Sequence, residues 1–441
     1  MNWHRRRVTV MGLGRHGGAI GAVRFLVARG AKVTVSDTAD KAALRKSLEQ
    51  LADLAGVRFE LGGHRESAFR DAEFVVANPA IRPDDRHLQW AEAHGAIVTT
   101  EIELLLGEMS AAVVAITGSN GKSTTAAMLD SILRNSGRRT RLGGNFGGSL
   151  LPHVDSIEPD DWVILELSSF QLHRLHGLPR PFDVAIVTSC APNHLDWHPD
   201  VAHYIRAKRR ILELTMPSGC VVLNVEDAEV RSWANAVRGK WKGAVDSSLL
   251  PALGVPGEHN RINARLAAAA ALAIGCPAES IDKGLSQFLG LPHRLEFITE
   301  INGRRFINDS AATTPESTIA AINTTTTPPW LIAGGSDKGV VFHAMVDAIA
   351  RNVQGAAFYG AVGKTLSRAC DEVQTMCPRT VVSTMEDALR WCWRRAQAGD
   401  IILLSPGCAS CDQFEHYVHR ADVFRELVLR LRLSTGERTL A

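Results

Sequence analysis

One segment decides the fold of this chain: Val113-Val114-Ala115-Ile116-Thr117-Gly118-Ser119-Asn120-Gly121-Lys122-Ser123-Thr124-Thr125. The apolar run 112–116 predicts a buried strand, and the small-residue turn after it leads into a helix-compatible stretch, 123–135. Such a turn presents backbone N–H groups and the positive end of a helix to an anion, while Lys122 adds charge and the Ser123 hydroxyl can reach Mg²⁺. The strict G-x-x-x-x-G-K-[ST] spacing is absent, because the first glycine is Gly118. We therefore predict a shortened loop for nucleotide phosphates; the alternative is a polar turn before a helix.

The composition predicts a cytosolic enzyme of two to four domains. The chain has 441 residues, 22% of them charged and 45% hydrophobic, with a formal net charge of +2, which gives no electrostatic case for nucleic acid. No apolar run reaches the ~18 residues that span a bilayer, so we expect no membrane partner. The eight cysteines are scattered, and the Cys408-x-x-Cys411 pair has no matching second pair, so we expect neither disulfides nor a metal site there.

The N-terminal region carries a dinucleotide-type fingerprint. An apolar strand, 8–11, leads into Gly12-Leu13-Gly14-Arg15-His16-Gly17, which matches G-x-G-x-x-G, and Asp37 follows the next strand 20 residues past Gly17. Taken alone, this pattern indicates NAD or FAD, although the same turn suits any diphosphate. Asn78 follows the apolar run 74–77, at the end of a strand where ligands of open α/β sheets usually bind.

The rest of the chain continues the α/β alternation. Gly143-Gly144-Asn145-Phe146-Gly147 predicts a turn, and the strand 162–166 ends in Glu166, a carboxylate placed to hold Mg²⁺ beside the phosphate loop. A polar loop with His194 and His198 follows the strand 183–188, and a helix, 204–214, carries the basic run 208–210, whose default interpretation is a solvated face. Strands are also predicted at 304–307, 330–333, 356–359, 381–382 and 401–404, with helices near 341–352, 385–397 and 412–432.

Together these residues resemble the Mur ligase family, the ATP-dependent amide-forming enzymes of peptidoglycan precursor synthesis. The resemblance covers nearly the whole chain and rests on Thr117-Gly118-x-Asn120-Gly121-Lys122-Ser123, Gly143-Gly144-Asn145, Glu166, His194, Lys208, Asn260, Arg294 and Asp309. Within the family, Leu404-Ser405-Pro406-x-Cys408-Ala409-Ser410-x-Asp412-Gln413-Phe414 is similar to the signature of the MurD type, which adds glutamate to UDP-N-acetylmuramoyl-L-alanine.

The resemblance implies three α/β domains. These are an N-terminal Rossmann-like UDP-binding domain (1–109), a central P-loop ATPase-like domain (110–295) and a C-terminal Rossmann-like domain that binds glutamate (296–441). It also implies that ATP phosphorylates the terminal carboxylate of the UDP-sugar-alanine, and that the amine of glutamate attacks the acyl phosphate. The substrates are small molecules, and we expect a monomer.

The family pattern also implies roles for individual residues. Catalysis would fall to Lys122, Glu166, His194 and Lys208. ATP would contact Gly118, Ser119, Asn120, Gly121, Lys122, Ser123, Thr124, Asn260, Arg294 and Asp309. The UDP-substrate would contact Gly14, Arg15, His16, Asp37, Thr38, Asn78, Asn145 and His194. Glutamate would contact Thr313, Lys338, Ser410 and Tyr417.

Two Mg²⁺ ions are implied, one held by Ser123 and Glu166 and the other by His194 and Lys208. An ammonium has no lone pair for a metal; in this family the matching lysine is carbamylated by CO₂, which gives a carboxylate-like ligand. Carbamylation needs the neutral amine, so we expect the site to lower the pKa of Lys208.

Departures from the family pattern leave the stereochemistry of the amino acid open. MurD-type chains usually read Asn-Asp-Ser-Lys-Ala-Thr-Asn, where this chain has Asn308-Asp309-Ser310-Ala311-Ala312-Thr313-Thr314. Tyr417 replaces a common Phe, Cys411 a common Leu, and Pro192-Asn193 the usual Glu-Asp. The segment 313–317 is similar to a variant branch that adds L-glutamate. We take D-glutamate as the default, with L-glutamate or another amino acid as alternatives. A NAD-linked oxidoreductase is the alternative from a different class, but it leaves the phosphate loop and the third domain unused.

Overall fold

The computed structural model of the chain describes residues 2–14, 19–175, 177–195, 197–337 and 341–434. Within these ranges the strands are β1 Arg7–Met11, β2 Lys32–Asp37, β3 Arg58–Leu61, β4 Phe74–Ala77, β5 Ile97–Thr99, β6 Ala112–Thr117, β7 Thr140–Gly144, β8 Trp162–Glu166, β9 Phe182–Val187, β10 Thr215–Leu223, β11 Lys240–Gly243, β12 Glu296–Ile301, β13 Arg304–Asn308, β14 Trp330–Gly334, β15 Gly355–Tyr359, β16 Arg379–Val381 and β17 Ile401–Leu404.

The α-helices alternate with these strands, as the sequence predicts. They are α1 Ile20–Ala28, α2 Arg45–Glu49, α3 Arg86–Ala93, α4 Glu101–Glu108, α5 Lys122–Asn135, α6 Ser169–Arg174, α7 Val201–Glu213, α8 Ala228–Ser232, α9 Glu258–Ile274, α10 Ala278–Ser286, α11 Pro315–Thr324, α12 His343–Asn352, α13 Gly363–Glu372, α14 Met385–Arg395 and α15 Tyr417–Ser434. In the part of the chain that the structure describes, no helix combines the length and the apolar character needed to cross a bilayer.

The first sheet has the strand order β3-β2-β1-β4-β5, and all of its strands are parallel. The chain moves outward from β1 to β3 and then returns to the other side of β1, so the strand order reverses between β1 and β4. Ligands of open α/β sheets bind at such a reversal, beyond the carboxyl ends of the strands. Gly12 and Asn78 directly follow these two strands, which confirms the predicted position of the Asn78 loop.

The second sheet is also parallel, in the order β11-β10-β9-β6-β8-β7. Its central strand, β6, is almost entirely buried, as expected for an apolar run covered by helices on both faces. Because β6 lies between β8 and β9, the segments after these three strands start side by side at one edge. They begin with Gly118, Leu167 and Thr188.

The third sheet has the order β12-β13-β17-β14-β15-β16, with β12 antiparallel to β13 and the other neighbours parallel. Apolar clusters cover both faces; one includes Leu331 and Phe358, and the other includes Ile332 and Leu404. The adjacent strands β13, β17 and β14 lead directly to Asp309, Ser405 and Gly335.

The chain divides into two compact units, Met1–Pro251 with Ile262–Gln287, and Ala252–Arg261 with Phe288–Ala441. The first unit contains the first two sheets, and the second unit contains the third. The three-domain boundaries stay a prediction.

Several sequence-based predictions need correction. Gly143 and Gly144 end strand β7 and are not a free-standing turn. The last helix begins at Tyr417 and not near residue 412, because Asp412 accepts a hydrogen bond from the Ala361 N–H and so anchors a loop. The solvated-face interpretation of the run 208–210 is wrong for Lys208, whose side chain is buried.

Candidate active site

Two glycines give the phosphate loop its shape. Gly118 has a φ of 156°, and a Cβ on it would lie 1.9 Å from Thr188 Oγ1. Gly121 has a φ of 85° and caps the N-terminus of α5; a Cβ on it would lie 2.4 Å from Asn263 Oδ1. Only glycine fits both the backbone conformation and the space at these two positions. The loop therefore has the narrow, backbone-lined form that a phosphate group requires.

Residues after β9 hold this loop in place, and sequence reasoning did not assign them to the site. The Asn120 N–H donates to Ser189 Oγ at 3.0 Å, and the Thr188 hydroxyl donates to the Asn120 carbonyl. The Ser119 hydroxyl lies 2.7 Å from the hydroxyl of Tyr204, which belongs to α7. The available signal was position, because residues 188 and 189 directly follow a strand beside β6.

Glu166 is the meeting point of two other predicted site residues. Its Oε2 accepts a hydrogen bond from Ser123 Oγ at 2.6 Å, and its Oε1 accepts one from Asn145 Nδ2 at 2.8 Å. The backbone N–H of Asn145 also donates to the Glu166 carbonyl at 2.9 Å. A carboxylate, a hydroxyl and an amide oxygen are hard ligands of the kind that Mg²⁺ prefers, so this group fits the predicted ion.

Two lysines converge on the carbonyl of Gly118. Lys122 Nζ donates to it at 2.9 Å, and Lys208 Nζ donates to it at 2.7 Å. Lys208 Nζ also lies 4.9 Å from the centroid of the Tyr204 ring. Burial, reinforced by the positive charge of Lys122, holds the pKa of Lys208 well below its usual value of 10.5. The lowered pKa, which favours the neutral amine, is the direction that the sequence analysis expected.

His194 lies in the loop after β9 in a left-handed conformation, with a φ of 56°. The backbone N–H of His194 donates to Asn193 Oδ1 at 2.8 Å, and the His194 ring packs edge-on against the Phe170 ring, with 4.9 Å between the ring centroids. The neighbouring His198 is buried and contacts Ser169 Oγ through Nε2 at 2.9 Å. Among the described residues, no group of three or more His, Cys, Asp or Glu side chains is arranged to hold a metal ion.

The predicted diphosphate turn of the first sheet is held by Asp37 and Asn78. Asp37 Oδ2 accepts a hydrogen bond from the Gly14 N–H at 3.0 Å, and its Oδ1 accepts one from the Ala39 N–H at 2.8 Å. Asn78 Nδ2 donates to the Gly12 carbonyl at 3.0 Å. Both side chains thus organise the turn, and their contact with a UDP group stays a prediction, as does that of Thr38. Arg15 and His16 lie outside the described residues.

Within the second unit, Asp309 is a buried carboxyl group that accepts two hydrogen bonds. Its Oδ2 accepts a hydrogen bond from Ser405 Oγ at 2.7 Å, and its Oδ1 accepts one from the Leu295 N–H at 3.1 Å. Burial raises the pKa of Asp309 to about 7, although Ser405, Leu295 and two arginines, Arg294 and Arg420, oppose the shift. Asn260, also in this unit, donates from Nδ2 to the Pro256 carbonyl at 2.7 Å.

The described candidates for binding glutamate lie on segments that are joined to one another. Ser310 Oγ donates to the Tyr417 carbonyl at 2.8 Å. The Gly407 N–H donates to the Ala312 carbonyl at 3.0 Å, which links the segment of Thr313 to that of Ser410. Lys338 lies outside the residues that the structure describes. These contacts bring three of the four predicted residues onto one connected framework.

Comparison with known proteins identifies the class of enzyme that carries this site. The sequence model of the Mur ligase MurD-like N-terminal domain matches residues 6–100, that of the Mur ligase middle domain matches 116–250, and that of the Mur ligase glutamate ligase domain matches 293–408. The chain belongs to the Mur ligase family, which confirms the resemblance to the MurD type.

Two relatives of this chain carry a specific name. The UDP-N-acetylmuramoylalanine–D-glutamate ligase of Geotalea uraniireducens is 34% identical, over 98% of this chain and 99% of the relative. The enzyme of the same name from a Roseiflexus species is 36% identical, over 96% of this chain and 98% of the relative. The solved UDP-N-acetylmuramate–alanine ligase of Thermotoga maritima superposes with a TM-score of 0.63 at 17% identity, over 97% of this chain and 99% of that chain. That last likeness concerns the fold and confirms the predicted three-part α/β architecture.

Proposed function

We propose that this chain is an ATP-dependent ligase that joins D-glutamate to UDP-N-acetylmuramoyl-L-alanine, a step of peptidoglycan precursor synthesis in the cytoplasm. Its near full-length similarity to relatives named UDP-N-acetylmuramoylalanine–D-glutamate ligase supports this pair of substrates. The observation that carries the proposal is the Ser123–Glu166–Asn145 group beside a glycine-shaped phosphate loop. That arrangement is suited to bind a nucleoside triphosphate together with a divalent metal ion.

The chemistry needs positive charge around oxygen atoms. A carboxylate is a poor electrophile, so the terminal carboxylate of the alanine would first attack the γ-phosphate of ATP, which releases ADP and gives an acyl phosphate. The amine of glutamate would then attack the acyl carbon, lose a proton and expel inorganic phosphate as the amide bond forms. Both steps gather negative charge on oxygens, and fixed cations and N–H groups stabilise that charge. Lys122 and N–H groups at the start of α5, including that of Thr124, would contact the phosphates, whereas the Ser119 N–H donates to the Ser189 carbonyl at 2.9 Å. Mg²⁺ would supply further positive charge, with Ser123 and Glu166 as its ligands.

Lys208 would serve a second Mg²⁺ after carbamylation, together with His194. Its burial and lowered pKa support the reaction of the neutral amine with CO₂. The carbamate would place a carboxylate near the Gly118 carbonyl, within reach of the phosphate loop. Asn260, Arg294 and Asp309 would also contact ATP. Gly14, Asp37, Asn78, Asn145 and His194 would contact the UDP-substrate.

The testing experiment measures phosphate release with UDP-N-acetylmuramoyl-L-alanine, ATP and Mg²⁺, with D-glutamate and L-glutamate in separate reactions. Release with D-glutamate alone supports the proposal. Release with L-glutamate alone would assign the chain to the variant branch, and would point to the segment 311–315 as the stereochemical selector. Absence of release with either enantiomer would refute glutamate as the substrate.

The alternative function, that of a nicotinamide-dependent oxidoreductase, is tested with the same protein preparation. Tight ADP binding without a nicotinamide absorbance change supports the ligase. Substrate-dependent reduction of NAD would support the oxidoreductase.

A further inference from the structure

Arg420 is a fully buried cation on helix α15 whose position the proposed chemistry does not explain. Its Nε donates to Ser310 Oγ at 3.0 Å, its Nη2 donates to the Ser310 carbonyl at 2.8 Å, and its Nη1 donates to the Cys408 carbonyl at 3.0 Å. One planar guanidinium therefore binds two loops that are almost a hundred residues apart in sequence.

Each of the three segments that meet at this guanidinium carries a residue predicted to bind the substrate glutamate. Ser310 lies three residues before Thr313, Cys408 lies two before Ser410, and Arg420 itself follows Tyr417 by one turn of α15. Ser310 Oγ closes the arrangement, because it accepts from Arg420 and donates to the Tyr417 carbonyl.

The chemistry of the contacts indicates a geometric role. A buried arginine is costly unless its donors are satisfied, and these acceptors are neutral carbonyl and hydroxyl oxygens of loops. The fixed fork of a guanidinium sets the directions of several hydrogen bonds at once, which the ammonium of lysine cannot do. The position of each loop is therefore defined relative to α15.

We infer that Arg420 is a positioning residue for the incoming amino acid, holding the segments of Thr313, Ser410 and Tyr417 in one arrangement. This inference rests on the proposed function. It assigns to Arg420 no contact with substrate, so its loss should weaken glutamate binding through displaced loops. Misplacement of binding groups by about 1 Å lowers reaction rates by as much as about a hundredfold.

The experiment compares Arg420→Lys and Arg420→Met with a control on the same helix, Val428→Ala. Val428 is fully buried in the apolar cluster beneath the third sheet, two turns beyond Arg420. Its truncation should lower the melting temperature without moving the loops. Ser310→Ala is a milder variant, which removes only the bridging hydroxyl. The KM for glutamate, ATP and the UDP-substrate is measured for each protein, with its melting temperature.

We expect Arg420→Lys to raise the KM for glutamate by about tenfold or more, with the KM for ATP and the UDP-substrate within about twofold of wild type. Ser310→Ala should shift the same parameter by less, and Val428→Ala should leave it unchanged.

An unchanged KM for glutamate in Arg420→Lys and Ser310→Ala overturns the inference, as does an equal rise in all three KM values. If Arg420→Met or Arg420→Lys fails to fold, Ser310→Ala decides by the same criterion. No glutamate-dependent release by the wild-type protein would instead overturn the proposed function, and this inference with it.

Discussion

The glycine at the start of α5 allows a sharp test of the phosphate loop. Gly121 and Gly137 lie at opposite ends of this helix and share a left-handed backbone, with φ values of 85° and 79°. An alanine at either position costs roughly 1–2 kcal/mol for that conformation. The surroundings differ, because a Cβ at Gly121 would lie 2.4 Å from Asn263 Oδ1, whereas a Cβ at Gly137 would meet no heavy atom within 4 Å.

Gly121→Ala should therefore damage nucleotide binding beyond its cost in stability. Asn263 is buried and accepts a hydrogen bond from Thr125 Oγ1 at 3.3 Å, so it cannot withdraw freely, and the loop must shift. We expect Gly137→Ala to lose about 1–2 kcal/mol of unfolding free energy for its backbone conformation, and Gly121→Ala to lose at least as much, because the clash with Asn263 adds to the same backbone cost. We expect only Gly121→Ala to weaken ADP binding, by about 10- to 100-fold.

Calorimetric titration with Mg·ADP, together with thermal unfolding, measures both quantities. Asn263→Ala removes the clashing oxygen, so the double variant should bind ADP more tightly than Gly121→Ala alone, as a double-mutant cycle would report. Equal loss of ADP affinity in Gly121→Ala and Gly137→Ala would refute the steric reasoning. If the double variant bound ADP no more tightly than Gly121→Ala alone, a clash with Asn263 would not be the cause of the lost affinity.

Three further predictions concern ionisable groups. Lys208→Ala should abolish phosphate release and be partly rescued by short carboxylic acids such as acetate, whereas the exposed neighbour Arg209→Ala should retain activity; failure of rescue would contradict a carbamate at Lys208. Glu166→Gln should lower turnover by about 10- to 100-fold and raise the Mg²⁺ concentration for half-maximal activity; an unchanged Mg²⁺ dependence would argue against Glu166 as a ligand. Because burial raises the pKa of Asp309 to about 7 from 3.8, its contribution to stability is complete below about pH 4 and is lost as pH rises to about 7, a loss of up to about 4 kcal/mol. Unfolding curves of Asp309→Asn should lack this decline, and parallel pH profiles for variant and wild type would show that Asp309 does not titrate in this range.

The elements around the phosphate loop could be predicted because their sequence signals are local. An apolar run that ends in glycines gives β6 and the start of α5 within a residue, and the strand ending at Glu166 was predicted with its observed bounds. In such segments, local propensity, hydrophobic pattern and turn residues all favour the same structure.

Other features depend on contacts that sequence spacing does not reveal. The burial of Lys208 follows from the packing of α7 against the phosphate loop, while its neighbours Arg209 and Arg210 remain more accessible. Tyr204 and Asn263 reach the loop from distant segments, and their residue types alone gave no reason to assign them. Strand β10 contains Pro217 and Gly219, which interrupt the strand pattern and coincide with its shift in register.

The hydrogen bonds between Arg420 and its two loops also involve only groups that do not titrate near neutral pH. Arginine does not lose its proton in proteins, and the oxygens that it binds belong to carbonyls and a hydroxyl, which do not titrate near neutrality. The neighbouring Asp309, with its pKa raised by burial to about 7, changes its charge over that same range. A change in pH would therefore alter the charge of Asp309 at this edge of the sheet, while the donors and acceptors of the Arg420 hydrogen bonds keep their protonation states.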